Sequence, residues 1–398
     1  MIKISIILIN ILVLLTVCTD FPTSFDRIDS DEVRLLDFIY DPPEASPGDT
    51  VKVKAVFSGK KFESSDIKWS YSNNKVSNKY GSDTVFYIQP LTTAQEDYFS
   101  DNTTCYSFQF VVPTDLFKTH GQVSENWTEL LNDSLTRSLP SSLTSLSKSQ
   151  LIEMVDLLTI SPQMFSAVSA QLNLPVDTLS FLLPYFSQLF TVQLGFFADV
   201  SHGINVESHY SVRYHSRFSK IPQIPVHVNH NPRIDSIGIY KVQGNKNTYD
   251  PRENKHTFMR IDNGDNLSNV LKVEDNYSYF LVAFHDVPDT FQTLYDLLDG
   301  TSHLEKLSTI WFFQHNDNET RNISSNNFMS LNGRESKNFD INSPITYYDL
   351  QSICRMFEPS DKSIKSVNVW CQVQDNTDNE IFHPVGSSLK EGSFTFQY

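Results

Sequence analysis

The sequence predicts a mainly β protein built as two β-sandwiches, the first carrying an α-helical insertion. Three observations predict it. Apolar and polar residues alternate in short runs in both halves of the chain, as they do in half-buried strands. One block in the first half switches to helical spacing. A proline-rich stretch, "SKIPQIPVHVNHNP" from Ser219 to Pro232, separates the halves and reads as a semi-rigid extended linker.

The first half opens with "VRLLDFIYDPPEASPGDTVKVKAVFSG". Val33 to Tyr40 is a strand stopped by Pro42-Pro43, which cannot donate to a ladder. Pro47-Gly48-Asp49 supplies a turn. Val51, Val53, Ala55 and Phe57 then point one way, with Lys52, Lys54 and Ser58 opposite. "DIKWSYS" repeats the pattern, with Ile67, Trp69 and Tyr71 on one face. Cys105 to Val112 is a further strand, with Tyr106, Phe108, Phe110 and Val112 on one side.

Beyond Pro113 the period changes. Ser147 and Gln150 form a capping box ahead of Leu151, Ile152, Met154, Val155 and Leu158. Ser161-Pro162 starts a second helix carrying Met164, Phe165, Val168 and Leu172. Pro175 opens a third through Leu179, Leu182, Leu183 and Phe186, which Pro184 is expected to kink or end. Glu125 to Arg137 is a weaker helical segment, and the insertion is bounded at about 124–188. In the apolar stretch from Ser147 to Gln188 the acidic groups are Glu153, Asp156 and Asp177. Two readings follow: a small bundle packed on the sandwich, or a surface that binds a partner. Strand alternation then returns at Val192, Leu194 and Phe196 and at Tyr210, Val212 and Tyr214, a hairpin that completes the first sandwich.

The second half repeats this order. "RIDSIGIYKV" places Ile237 and Ile239 on one face, "YSYFLVAFHDV" follows, and "LSTIWFFQHND" holds Trp311 as "DIKWSYS" holds Trp69. In "SVNVWCQVQD", Val367, Val369, Cys371 and Val373 point inward and Asn368, Gln372 and Gln374 outward; "GSFTFQY" closes the chain. An opening strand, a Pro-Gly corner, an alternating strand and a Trp-centred strand resemble the first strands of an immunoglobulin-like sandwich. In the first half Ala55 stands near the place of the usual inter-sheet cysteine, so that disulfide is lost. In the second half Cys371 sits where the buried cysteine of the sixth strand would, its second strand offers no cysteine, and Cys354 is the candidate disulfide partner of Cys371.

The first residues address location. Lys3 precedes an apolar run from Ile4 to Val17, shorter than the about 20 residues a bilayer-spanning helix needs. A charged start and a short apolar stretch are the layout of a secretory signal. Leu15-Thr16-Val17-Cys18 resembles the lipobox of bacterial lipoproteins, although Val17 replaces the usual small residue. The resemblance implies lipidation of Cys18, with 1–18 a signal peptide and 19–32 a polar tether. A plain secretory peptide and an uncleaved anchor are the alternatives. With the tandem pattern, the chain resembles bacterial envelope lipoproteins with tandem immunoglobulin-like domains, here 33–218 and 233–398 joined by a linker at 219–232. That resemblance implies an exported protein, lipid-anchored to the membrane at the outer membrane or cell surface.

Composition narrows the function. A net charge of −16 argues against nucleic acid and anionic lipid, which need basic patches. Seven Asn-X-Ser/Thr sequons, at Asn102, Asn126, Asn132, Asn266, Asn276, Asn318 and Asn322, allow a secreted glycoprotein as an alternative. The sequence has no nucleophile elbow, zinc-protease motif, phosphate loop or Cys-X-X-Cys, so neither catalytic residue nor cofactor nor metal site is assigned. His209 and His215 lie six residues apart, about 20 Å along a strand, too far to share a metal. His227 and His230 lie in the linker; Asp262–Asn266 and His315–Glu319 are oxygen-rich loops read as turns, and Asp296 and Asp299 are a carboxylate pair with no cleft. The expected function is a non-enzymatic binding module with a protein or glycan partner. The alternative is an accessory subunit of an envelope enzyme, transport or secretion complex.

Overall fold

Strict alternation in the opening strands fixes one core before any pairing is known, because a strand sends successive side chains to opposite faces. The computed structural model describes residues 33–59, 61–72, 86–87, 94–96, 103–117, 140–189, 191–200, 204–213, 229–243, 256–262, 269–274, 276–285, 293–296, 301–304, 308–316, 328–331, 337–338, 345–349, 365–375 and 386–397. It is mainly β.

The first unit contains β1 (Arg34–Asp41), β2 (Thr50–Ser58), β3 (Ile67–Ser72), β4 (Phe86–Tyr87), β5 (Ala94–Glu96), β6 (Thr103–Val111), β7 (Thr191–Val200) and β8 (Ile204–Arg213). They form two sheets, β1-β2-β6-β5 and β4-β3-β7-β8. Val51, Val53, Ala55 and Phe57 are buried in the shared core, as their alternation predicts. Trp69 lies between the sheets, its ring 4.7 Å from that of Phe108 and 6.2 Å from that of Phe38. At the corner after β1, Gly48 takes a φ of 86°, and its N–H donates to Val112 O at 2.8 Å. The same corner holds Ala45 in a parallel bridge to Val212, and the Arg213 guanidinium pairs with Glu44, both side chains buried.

Among the described residues, four helices lie between β6 and β7: α1 (Ser141–Thr144), α2 (Lys148–Ile160), α3 (Phe165–Leu172) and α4 (Val176–Leu189). The expected capping box opens α2, with Ser147 Oγ accepting from Gln150 N at 3.3 Å and Gln150 Oε1 from Ser147 N at 2.9 Å. Pro162 begins a 3-10 turn just ahead of α3. Pro184 does not end α4, which continues to Leu189; one proline removes a single backbone donor and the flanking turns carry the helix past it. Leu151, Val155, Leu158, Val168, Leu179 and Leu182 join the first unit's core. The helices are therefore a wall of that unit rather than an appendage. Glu125–Arg137 lies outside the described residues.

The second unit contains β9 (Ile234–Gln243), β10 (His256–Arg260), β11 (Val270–Lys272), β12 (Tyr277–His285), β13 (Thr293–Asp296), β14 (Thr301–Leu304), β15 (Ser308–Asn316), β16 (Phe328–Leu331), β17 (Lys337–Asn338), β18 (Ile345–Asp349), β19 (Lys365–Gln374) and β20 (Ser387–Gln397). Its sheets are β10-β9-β12-β18-β17 and β11-β20-β19-β15-β16, with β13-β14 a separate hairpin. Substituting β9, β12, β18 and β17 for β1, β2, β6 and β5, and β16, β15, β19 and β20 for β4, β3, β7 and β8, reproduces the first unit's strand order. Trp311 occupies in β15 the place of Trp69 in β3, fully buried in the second core with Ile237, Ile239, Val369 and Cys371.

One expectation fails in the same way on several strands. Ser58, Asn368 and Gln372, read as outward and solvated, are 3%, 4% and 5% exposed. The outer face of β1-β2-β6 is covered by the outer face of β20-β19-β15: Leu36, Val56, Cys105, Phe312 and Trp370 form one apolar cluster between the units.

Candidate functional site

Two surfaces carry side chains beyond what the cores require. The first is on the helices. While one side of α2, α3 and α4 enters the core, Leu157, Met164, Val176 and Phe181 stand exposed on the helical segment. These four are among seven large hydrophobic residues that are exposed among the described residues, the others being scattered over strands. The helical surface has Lys148 as its cation and Glu153, Asp156 and Asp177 as its anions. Such a surface has no nucleophile or acid–base pair; it can make apolar contacts with a sparse charged rim.

The second is the junction between the units. Asp37 interrupts the apolar run of β1 and is 4% exposed. Its carboxylate accepts from Gln372 Nε2 and Ser387 Oγ, each at 2.6 Å and each across the junction. Burial pushes its pKa up to about 7, against the opposing effect of hydrogen bonds from Ser387, Gln372 and the Phe38 backbone. Beside it, Trp370 Nε1 donates to Thr103 Oγ1 at 3.0 Å and Thr103 Oγ1 donates to the buried Glu391 Oε1 at 3.1 Å. The end of the linker is pinned here too. Asn231 Nδ2 donates to Tyr40 O at 2.7 Å while its Oδ1 accepts from Ser387 N at 2.9 Å. Gly386 permits this approach, since a Cβ there would lie 2.9 Å from His230 O and 2.7 Å from Asp375 Oδ2.

Of the residues singled out by sequence, Cys18 and Cys354 lie outside the described residues. Cys371 is fully buried in the second core and carries a free thiol, whose pKa burial pushes well upward. His209 is exposed on β8, 3.6 Å from Glu207, and His230 is exposed; His215 and His227 lie outside the described residues. Asp262 is held by Arg260 Nε at 2.6 Å and Lys390 Nζ at 3.0 Å, so its oxygens face cationic side chains rather than a cation site. The rest of that loop, Asp299 and Asp317–Glu319 are outside the described residues. No group of three or more His, Cys, Asp or Glu side chains converges on a point among the described residues, and no described helix is long and apolar enough to cross a membrane. The junction is what sequence reasoning missed. Its signal was present in "LLDFIY", a carboxylate at a strand position where neither face is polar.

No protein-family model and no curated protein sequence matches the chain.

Proposed function

We propose that this chain is an exported envelope lipoprotein, anchored through lipid on Cys18, in which two immunoglobulin-like sandwiches hold a helical surface for a protein or glycan partner. Acyl chains on Cys18 would hold it at a membrane, each buried CH2 contributing roughly 0.8 kcal/mol. The strand order repeated in the two units, with β1-β2-β6-β5 and β4-β3-β7-β8 sharing the first core, supports the immunoglobulin-like reading. The function itself is argued from surface features rather than from that likeness.

The observation that carries the binding role is where the exposed apolar residues lie. The tether of residues 19–32 joins the fold at Val33, at the start of β1, beside the Ser58 and Thr103 ends of β2 and β6. The helices leave from the opposite end, after Val111 of β6 and before Thr191 of β7. The eight residues of β1, at about 3.3 Å each, separate the two ends by about 26 Å. An anchored molecule would thus carry Leu157, Met164, Val176 and Phe181 on the end away from its attachment. In this reading the protein binds and does not catalyse.

The test is the mass and N-terminus of the mature protein recovered from membranes, beside a Cys18→Ala control. An acylated N-terminal Cys18, with the control released or unprocessed, is expected. An unmodified N-terminus beyond Cys18 in the soluble fraction would overturn the anchor. In that outcome a glycan on Asn276, exposed in the turn before β12, would favour a secreted glycoprotein.

A further inference from the structure

Between the two units lies a buried carboxyl group whose hydrogen-bond partners are all neutral donors. We infer that docking of the two units is proton-linked through Asp37: the neutral acid locks them together and the carboxylate loosens them. The geometry sets this up. Asp37 sits on β1 and its two hydrogen-bond donors across the junction, Gln372 and Ser387, sit on β19 and β20. Undocking therefore returns the carboxyl to water, and docking strips it of water.

The charged groups on the elements around it do not neutralise it. On β1 these are Arg34 and Asp41, with the buried phenol of Tyr40 also close enough to feel the Asp37 charge, on β2 Lys52 and Lys54, on β19 Lys365 and just after it Asp375, and on β20 Lys390 and Glu391; β6 has no charged residue. None of the cations pairs with Asp37 among the described residues. Lys390 is directed to Asp262 and to the Asp235 carbonyl instead. Asp375 and Glu391 are themselves buried carboxyl groups and supply no positive charge. Ser387 suits either state of the acid, because a hydroxyl donates to a carboxylate and accepts from a carboxylic acid.

The direction follows from linkage. The Asp37 carboxyl has its ordinary pKa of 3.8 when solvated and is pushed up to about 7 when docked, so the docked state binds the proton more tightly. Docking is strongest below the lower value, weakens as pH rises between the two, and levels off above the upper one. From those two values the docking constant falls about fifty-fold from pH 5 to pH 7 and about twofold more to pH 8.

The Trp370 indole N–H reads this directly, since it donates across the junction to Thr103 and exchanges when the units part. Its hydrogen exchange in the full chain, measured by NMR from pH 5 to 8 and corrected for the intrinsic rate, is expected to lose about fifty-fold in protection by pH 7. Trp69 and Trp311, whose indoles lie inside the separate cores, are expected not to follow that curve. Asp37→Asn is expected to flatten the Trp370 profile. Ser387→Ala, which removes a donor to the carboxylate, is expected to move the plateau to higher pH and serves if the first variant does not fold. A pH-independent Trp370 protection in the native chain would overturn the inference. So would a loss shared equally by all three tryptophans, which would report unfolding and not undocking.

Discussion

Replacing Arg213 by methionine should destabilise the first unit more than any change on its surface. Arg213 ends β8, and its Nε lies 2.8 Å from Glu44 Oε2 with a second nitrogen on the same oxygen. The side chains are 4% and 0% exposed, so neither charge is solvated by bulk water. Arg213→Met removes the cation and leaves a carboxylate in the corner that Ala45 and Ser46 make against β8. Breaking a buried pair from one side costs about 3–5 kcal/mol. With a urea slope of about 3 kcal/mol/M, the midpoint by far-UV circular dichroism should fall by about 1–1.7 M. The double variant Glu44→Leu/Arg213→Met removes both charges and should recover to within about 1 kcal/mol of the native chain, because exchanging a buried ion pair for apolar groups of like size is often near neutral. The recovery of the double variant over Arg213→Met, about 2 kcal/mol or more, is the measurement that decides between a stranded charge and lost packing. If the double variant is as unstable as the single one, the stranded charge is not the cause, and the packing of the Arg213 stem is.

Three further changes test separate parts of the fold. Ser147→Ala removes the side chain that accepts from Gln150 N at the start of α2 and should cost about 1 kcal/mol by the same denaturation assay. Burial acts to raise the carboxyl of Asp262, but Arg260 and Lys390 outweigh it and hold the group below its usual value. Its contribution is therefore present above the ordinary carboxyl value of 3.8 and lost as pH falls through the lowered one, so Asp262→Asn should flatten the acid limb of a stability–pH curve. Cys371, buried and with its thiol pKa raised, should resist iodoacetamide in the native protein and react in denaturant without reductant. A requirement for reductant would instead place it in a disulfide, with Cys354 the first partner to examine.

The inward faces were legible because period-2 alternation and burial have one cause. Val51, Val53 and Ala55, and Val367, Val369 and Val373, are all fully buried where the pattern puts them. Ser147 and Gln150 were legible because a cap is a local bargain between residues three apart. The opposite faces were not. Asn368 and Gln372 are polar, and on an isolated sheet polar means solvated; here both are buried, and Gln372 donates across the junction to Asp37 of the other unit. Alternation shows which side chains share a face but not what covers that face. Val56 and Trp370 break the polar side of their strands, and each break marks the junction. Pro184, expected to kink or end its helix, does not end it for a related reason: local propensity disfavours a helix there, whereas the flanking Leu179 and Leu182, both in the core, hold the helix in place.

The mixture of groups at the junction explains why it can set an orientation. An apolar cluster such as Leu36, Val56, Phe312 and Trp370 tolerates sliding, since dispersion and water exclusion carry little direction. Hydrogen bonds do not. A shift of one strand position would leave Asp37 without Gln372 and Ser387, and would part Trp370 from Thr103. Each buried group stranded in that way costs about 1–3 kcal/mol, and a charged one more. The linker reinforces the same register, because Asn231 bonds at once to Tyr40 of the first unit and to Ser387 of the second. Apolar burial thus supplies attraction, and the polar set selects one alignment from the many that attraction would accept. The group at its centre is the one whose charge depends on pH, so the alignment is firmest where Asp37 is neutral.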